Sequence, residues 1–302
     1  MFLLLLSQWS DGQANIAAPQ NENSPNVRSA RGNTASDSIQ AQLPPKTSDL
    51  GSGNSVPDRI KQLARLGTAA AIQDLAHILE SLPLGDLREE AVRIASTAGN
   101  PEAVPVVLDL LQSTDDAGVI RMSQEILARL AGPESIQSML SIYDDSTDTE
   151  FRDRLERTVA YISTEEAVPV LKLVVSDIST PATDGMIRAG AQALRKIGTP
   201  PAVDTLIERL NSETNEEGRS VIAAQIGEVR APSAEASLQS AALGQSKFAS
   251  QVQTRVTAIG TLLYYPSAET QELLAGLAAD PDQQISAAAT DILTEIKKRL
   301  NN

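Results

Sequence analysis

The strongest constraint on this chain is an internal period of about 32 residues, running from Pro57 to Asn302. Self-similarity at such a spacing means one supersecondary unit used many times. Aligned on one small residue per unit, the repeats fall at Ala71, Ala103, Ser135, Ala167, Ala202, Ala234 and Ala268, with intervals of 32, 32, 32, 35, 32 and 34. Two positions earlier stand Ala69, Pro101, Pro133, Glu165, Pro200, Pro232 and Pro266. Five positions earlier every residue is apolar: Leu66, Ala98, Leu130, Ile162, Ile197, Val229 and Leu263. Four positions later come Leu75, Val107, Met139, Leu171, Leu206 and Leu238; the seventh repeat has Glu272, with Leu273 beside it to take the role.

These columns predict two helices per unit. Proline fits the first turn of a helix, where its missing N–H would be unpaired anyway, and it stops the helix before it. The first helix therefore starts near the proline, as over Pro101 to Leu111. A polar turn follows, as in Gln112 to Asp116, Asp144 to Asp148, Ser176 to Asp184, Asn211 to Glu217 and Asp280 to Asp282, and supplies N-cap acceptors. The second helix runs as in Asp86 to Ala98 and Asp184 to Ile197. Gly67, Gly99 and Gly198 sit at second-helix ends, where a left-handed cap suits glycine. The longer intervals place their extra residues in turns, around Ile178 to Thr183 and Gln245 to Ala249. No alternating β-branched run marks a strand. One hairpin cannot bury its apolar face alone, so the hairpins must stack into a solenoid. With an unpaired starting helix over Pro57 to Leu66 and a last helix from Asp282 to about Leu300, about fifteen helices are expected. Lys297-Lys298-Arg299 suits the C-terminus of that last helix.

The first 56 residues are a different polymer. Residues 15–56 are rich in Asn, Gln, Ser, Pro and Gly, and read as a disordered polar linker that buries too little apolar surface to offset its ordering entropy. In residues 1–14, the apolar Phe2–Leu6 is followed by Gly12-Gln13-Ala14, which has the small-x-small form of a signal-peptidase site; the segment reads as the remnant of an export signal. That places the chain in the periplasm or cell envelope, with the cytoplasm as the alternative. Five apolar residues are too few to span a bilayer.

Composition narrows the chemistry. Without cysteine there are no disulfides, thiolate metal sites or Cys nucleophiles. A single histidine, His77, makes a histidine-rich metal site or a Ser-His-Asp arrangement a poor fit, and His77 reads as a surface or half-buried residue. No cofactor is indicated. The net charge of −14 argues against a nucleic-acid backbone as partner, because phosphate neutralisation needs a basic footprint. The acidic turn Asp144–Glu150 lacks the frame of a calcium loop, and Gly51-Ser52-Gly53 lacks the lysine and helix of a phosphate loop.

The run Ala193-Leu194-Arg195-Lys196-Ile197-Gly198-Thr199-Pro200-Pro201-Ala202, together with Gly99-Asn100-Pro101-Glu102-Ala103-Val104-Pro105 and Asp280-Pro281-Asp282, resembles the short HEAT repeat of the phycobilisome-lyase HEAT-like kind. The resemblance covers about four-fifths of the chain. It implies an all-α fold, a right-handed α-solenoid of about seven helical-hairpin repeats over residues 57–302, with the second helices on the concave face. Arg230 and Tyr264 stand where the family has glycine, and the aromatic positions of tetratricopeptide repeats are missing. For function the resemblance implies a non-enzymatic scaffold holding a protein partner along the concave face. The alternative is an enzyme or enzyme subunit related to the HEAT-like bilin lyases, for which no catalytic residue carries over.

Positive charge concentrates on the second helices. Counted back from the aligned small residue, Arg88, Arg152 and Arg219 lie at fifteen, Arg121 and Arg188 at fourteen, and Arg255 at thirteen. Two readings stand side by side. The arginines pair with the acids of adjacent turns and join repeats, or they line a groove for an acidic partner segment, which their planar forks would grip bidentately. Tyr264 and Tyr265 are candidate contacts too, with one ring expected to fill the space left by the absent glycine. Tyr143, Phe151 and Tyr161 are expected in the core.

Overall fold

The computed structural model describes residues 55–245 and 251–301. The export-signal reading of residues 1–14, the linker reading over 15–54 and most of the insertion after Gln245 fall outside the described residues. Within them the chain forms fifteen α-helices and no strand. A lone helix, α1 (Val56–Leu66), precedes seven pairs: α2 (Ala69–Ser81) with α3 (Asp86–Ala95), α4 (Val104–Ser113) with α5 (Ala117–Arg129), α6 (Pro133–Asp145) with α7 (Thr149–Tyr161), α8 (Val168–Val175) with α9 (Gly185–Ile197), α10 (Pro200–Ser212) with α11 (Glu216–Gly227), α12 (Glu235–Ala242) with α13 (Val252–Thr261), and α14 (Ala268–Leu277) with α15 (Gln283–Leu300). The fold is an α-solenoid. Each second helix packs on the second helices of the neighbouring pairs, and this row is packed more closely than the row of first helices. One continuous apolar cluster runs from Ile60 to Ile296 between the rows.

The turns do what their residues dictate. Asp116 accepts from the backbone N–H groups of Gly118 and Val119, Asp148 from Glu150 and Phe151, Asp184 from Met186 and Ile187, Asn215 from Gly218, and Asp282 from Gln284 and Ile285. Each cap satisfies donors that a helix start leaves unpaired. Pro133 and Pro200 open their α-helices directly, whereas Pro101 and Pro232 open single 3-10 turns that lead into α4 and α12. Gly67 and Gly198 take left-handed caps at φ 58° and 60°.

Three expectations need correction. Gly99 is not a left-handed cap: α3 ends early, at Ala95, and its last turn unwinds through Thr97 N–H to Ile94 and Ala98 N–H to Ala95. The carbonyls of Ser96 and Ala98, freed by that ending, accept from the Arg129 guanidinium, which lies where a Gly99 side chain would be. Tyr161 is exposed and carries the Lys196 ammonium 4.7 Å from its ring centroid, while Tyr143 and Phe151 are buried. The last repeat is also out of register by two. Ala268 is exposed, whereas Thr270 is fully buried and Leu274, four residues on, fills the seam where Leu273 was expected. The buried Thr270 hydroxyl donates to Glu235 at 2.7 Å.

Candidate binding groove on the second-helix row

The register correction reorganises the arginines. Measured from Thr270, Arg255 lies fifteen back, not thirteen, and joins Arg88, Arg152 and Arg219. Two classes remain, fifteen back and fourteen back. One residue along an α-helix is a rotation of about 100°, so the classes face different surroundings.

The fifteen-back class is turned into the protein. Arg88 is buried, donates from Nη1 to the Leu82 carbonyl at 2.9 Å and from Nη2 to both carboxylate oxygens of Asp116, the cap of the next second helix. Burial opposes ionisation of Asp116, but the hydrogen bond from Arg88 and those from the Val119 and Gly118 backbone outweigh it and hold the carboxyl below its ordinary range. Arg255 repeats the pattern on Asp280 at 2.7 Å and on the Ala242 carbonyl at 3.0 Å. Arg219 meets the neutral Gln251 at 2.7 Å. Arg152 lies over the Tyr143 ring, 4.1 Å from its centroid. Burial, seconded by the Glu156 carboxylate that accepts its proton at 2.8 Å, pushes the Tyr143 hydroxyl up to about 12.

The fourteen-back class is exposed. Arg121 bridges Glu125 on its own helix and Glu89 on the preceding second helix, at 3.0 and 3.1 Å. Arg188 has no hydrogen-bond or ion-pair partner among the described residues, nor does the exposed Arg157 on α7. These two arginines line one open cavity of about 250 Å³ that crosses α7, α9 and α11. The acid Glu156, the small residues Ala160, Gly185 and Ala189, and Gln192, Val221 and Gln225 complete its lining. The Glu156 carboxylate lies against Gly185, where a Cβ would meet it. The buried Oε1 of Gln225 has no hydrogen-bond partner. A larger hollow of about 490 Å³ lies one step toward the N-terminus, bounded by Arg121, Gln124, Arg129, Tyr161 and Thr164. Between the two hollows stands Lys196, which donates to the Ala160 carbonyl at 2.7 Å; burial, and then the nearby Arg195, lower its pKa.

Residues 72–160 match the family model for HEAT repeats, and residues 187–212 match the one for the PBS lyase HEAT-like repeat. The chain carries HEAT repeats. Among solved structures, the HEAT-repeat chain is similar to human deoxyhypusine hydroxylase in complex with glycerol, at 18% identity and a TM-score of 0.35, covering 79% of this chain and 88% of that one. It is also similar to an engineered protein, at 21% identity and a TM-score of 0.29 over 79% and 96% of the two chains. A computationally designed cyclic homo-oligomer matches at 16% identity and a TM-score of 0.17, over 82% and 86%. A search of curated protein sequences finds no match.

The remaining candidates are placed as follows. Tyr265 is buried and donates to the Ala231 carbonyl at 3.1 Å, and burial raises its pKa; it fills the hairpin junction. Tyr264 is 45% exposed beneath the Arg230 guanidinium, 3.3 Å from its ring centroid, away from the groove-lining residues. His77 is exposed, with Glu80 at 3.7 Å. Among the described residues no group of three or more His, Cys, Asp or Glu side chains is arranged to hold a metal ion, and no helix is long and apolar enough to cross a membrane. Three arginines lie outside the aligned column. Arg157 lies a turn beyond the aligned positions of α7. Arg154 and Arg209 are almost completely buried. Arg154 donates to the Leu111 and Thr114 carbonyls at 3.0 and 2.6 Å, and Arg209 to the Asp177 and Thr180 carbonyls at 2.6 and 2.7 Å and to Glu213 at 2.6 Å. The Arg209–Glu213 spacing of four on a helix was the available signal for that pair.

Proposed function

We propose that this HEAT-repeat protein is a non-enzymatic scaffold that holds a protein partner along its second-helix row, the partner presenting an acidic segment. One observation carries the reading. In a chain of net charge −14, α9 bears Arg188, Arg195 and Lys196 and no acid, and Arg188 and the neighbouring Arg157 face a groove without a partner among the described residues. A repeat stack offers a long surface for many modest contacts, and local charge complementarity selects the partner and steers its approach. The lyase-like repeat match does not argue for catalysis: within residues 187–212 the buried Ile187, Ala191, Leu194, Ala202 and Leu206 fill the seam. The apolar run Phe2–Leu6 followed by Gly12-Gln13-Ala14 supports a periplasmic or envelope location over a cytoplasmic one. Recovery from the native host of a chain beginning at Asn15 checks that point.

The test of the binding reading is a photo-cross-linking experiment with a Gly-Glu repeat peptide on the full chain. Cross-links are expected on α7, α9 and α11. Cross-links confined to the first helices, or an equal yield from the matched Gly-Lys peptide, would overturn it.

A further inference from the structure

The groove across α7, α9 and α11 has two unmet needs of different kinds, and together they describe a ligand more closely than charge alone. Arg157 and Arg188 bring two guanidinium forks to one cavity with no carboxylate engaged on either among the described residues. Guanidinium is built for bidentate contact with a carboxylate. On the same cavity, the buried Oε1 of Gln225 accepts no hydrogen bond, and a buried orphan acceptor is costly until a donor arrives. The lining side chains at Ala160 and Ala189 are small, and Gly185 has none. Glu156, the acid in the lining, is already bonded to the Tyr143 hydroxyl at 2.8 Å and lies against Gly185. Its charge disfavours a second carboxylate on that side and leaves the arginines as the place for one.

We infer that this cavity is a two-point reader of an extended acidic peptide segment. Arg157 and Arg188 grip one Asp or Glu side chain, and Gln225 accepts a main-chain N–H from a neighbouring residue of the same segment. A helical ligand has its own N–H groups bonded internally and cannot make the second contact. A volume of about 250 Å³ suits one side chain and its adjoining backbone, not a folded surface. The assignment rests on the scaffold reading above and adds the conformation of the segment and the residues that select it.

Fluorescence anisotropy of a labelled Gly-Glu repeat peptide on the full chain tests it. Arg157→Ala and Arg188→Ala should each weaken binding about tenfold, the worth of one charge-assisted contact. Arg121→Ala, whose guanidinium is held by Glu89 and Glu125, should leave binding unchanged. Gln225→Ala should weaken it less than either arginine change, and N-methylation of the peptide backbone should cost wild type as much as Gln225→Ala does while costing that variant nothing more. A Gly-Gln peptide should not bind. If the Gly-Glu peptide binds but neither arginine change weakens it, the cavity assignment falls while the scaffold reading stands. If it does not bind at all, both fall. Displacement by a single-stranded oligonucleotide at lower concentration than by unlabelled peptide would make the site a phosphate site and overturn the assignment.

Discussion

Arg88 and Arg188 occupy almost the same place in their repeats, one residue apart in register, and meet opposite fates. At the loop edge of the stack the protein uses its arginines itself: Arg88 on Asp116, Arg255 on Asp280, Arg209 on Glu213 and two carbonyls. On α7 and α9 it leaves Arg157 and Arg188 turned outward over a groove. A single residue of register therefore separates a buried arginine from an exposed one, because it turns the side chain by about 100°, and the acids of the neighbouring helix decide whether the exposed one is engaged, as Arg121 is by Glu89. If the comparison is right, changes at the two regions should separate cleanly into stability effects and binding effects.

The largest stability effect is expected at Arg209. It is 1% exposed, and its loss leaves the 7%-exposed Glu213 charge unpaired beside two orphaned carbonyls. Arg209→Leu should destabilise by about 3–5 kcal/mol, read as a shift of the urea midpoint. A repeat array can unfold in stages, so probes at both ends of the stack are needed. The same pair carries a pH signature. Burial raises the Glu213 pKa, but backbone donors from Asn215 and Ala182 and then Arg209 bring it below its ordinary value of 4.5. In that interval the unfolded chain binds more protons than the folded one, so stability rises with pH. The contribution is complete above about 4.5 and is lost as pH falls through the depressed folded value. Glu213→Gln should flatten that acid limb; an unchanged limb would show that the pair does not shape it.

Arg88→Ala comes next. The guanidinium is buried, and Asp116 stays a half-exposed helix cap able to take up water, so a loss of about 1.5–3 kcal/mol is expected. A change under about 0.5 kcal/mol, the range of ordinary surface substitutions, would mean that the fifteen-back column does not join the repeats. The register shift has a smaller effect of its own. Thr270→Val removes a buried hydroxyl that donates to Glu235 and should cost about 1 kcal/mol, whereas Ala268→Ser, on the exposed surface, should cost nothing measurable. If Ala268 proved the sensitive position, Arg255 would return to thirteen back and the two-class division would lose a member.

The helix pairs, their caps and the seam were legible because each is set by local chemistry recurring at fixed spacing: proline at helix starts, Asp or Asn before second helices, apolar residues five back and four on. Misreadings occurred where a distant partner decides. Gly99 has the place of a cap, but α3 ends at Ala95 before reaching it, and the Arg129 guanidinium from the next repeat lies against it. Tyr161 has the composition of core, yet its position at the end of α7 leaves it under Lys196. In the last repeat Ala268 imitates the small-residue column, and burial picks Thr270 instead. The groove was half visible. A column of arginines and the absence of acids on α9 can be read from the chain, but whether an arginine is occupied depends on what the neighbouring repeat brings to it, and Arg157 lies outside the column altogether.

The smallest expected effect sharpens the comparison most. Arg188→Ala removes an exposed cation with no partner among the described residues, so the urea midpoint should move by less than about 0.5 kcal/mol. On α9 the cations Arg188, Arg195 and Lys196 repel one another, but the chain carries a net charge of −14 and Glu156 lines the same cavity, so the repulsion relieved and the attraction lost oppose each other and the shift should be close to zero. Arg121→Ala, at the matching position of α5, gives up its links to Glu89 and Glu125 and should be slightly destabilising, as exposed pairs are worth about 0.2–1 kcal/mol. The Arg121 shift should shrink in added salt, because it arises from exposed charges. Equal and destabilising shifts at both positions would show that Arg188 has a structural partner after all, and the groove would then lose one of its two forks.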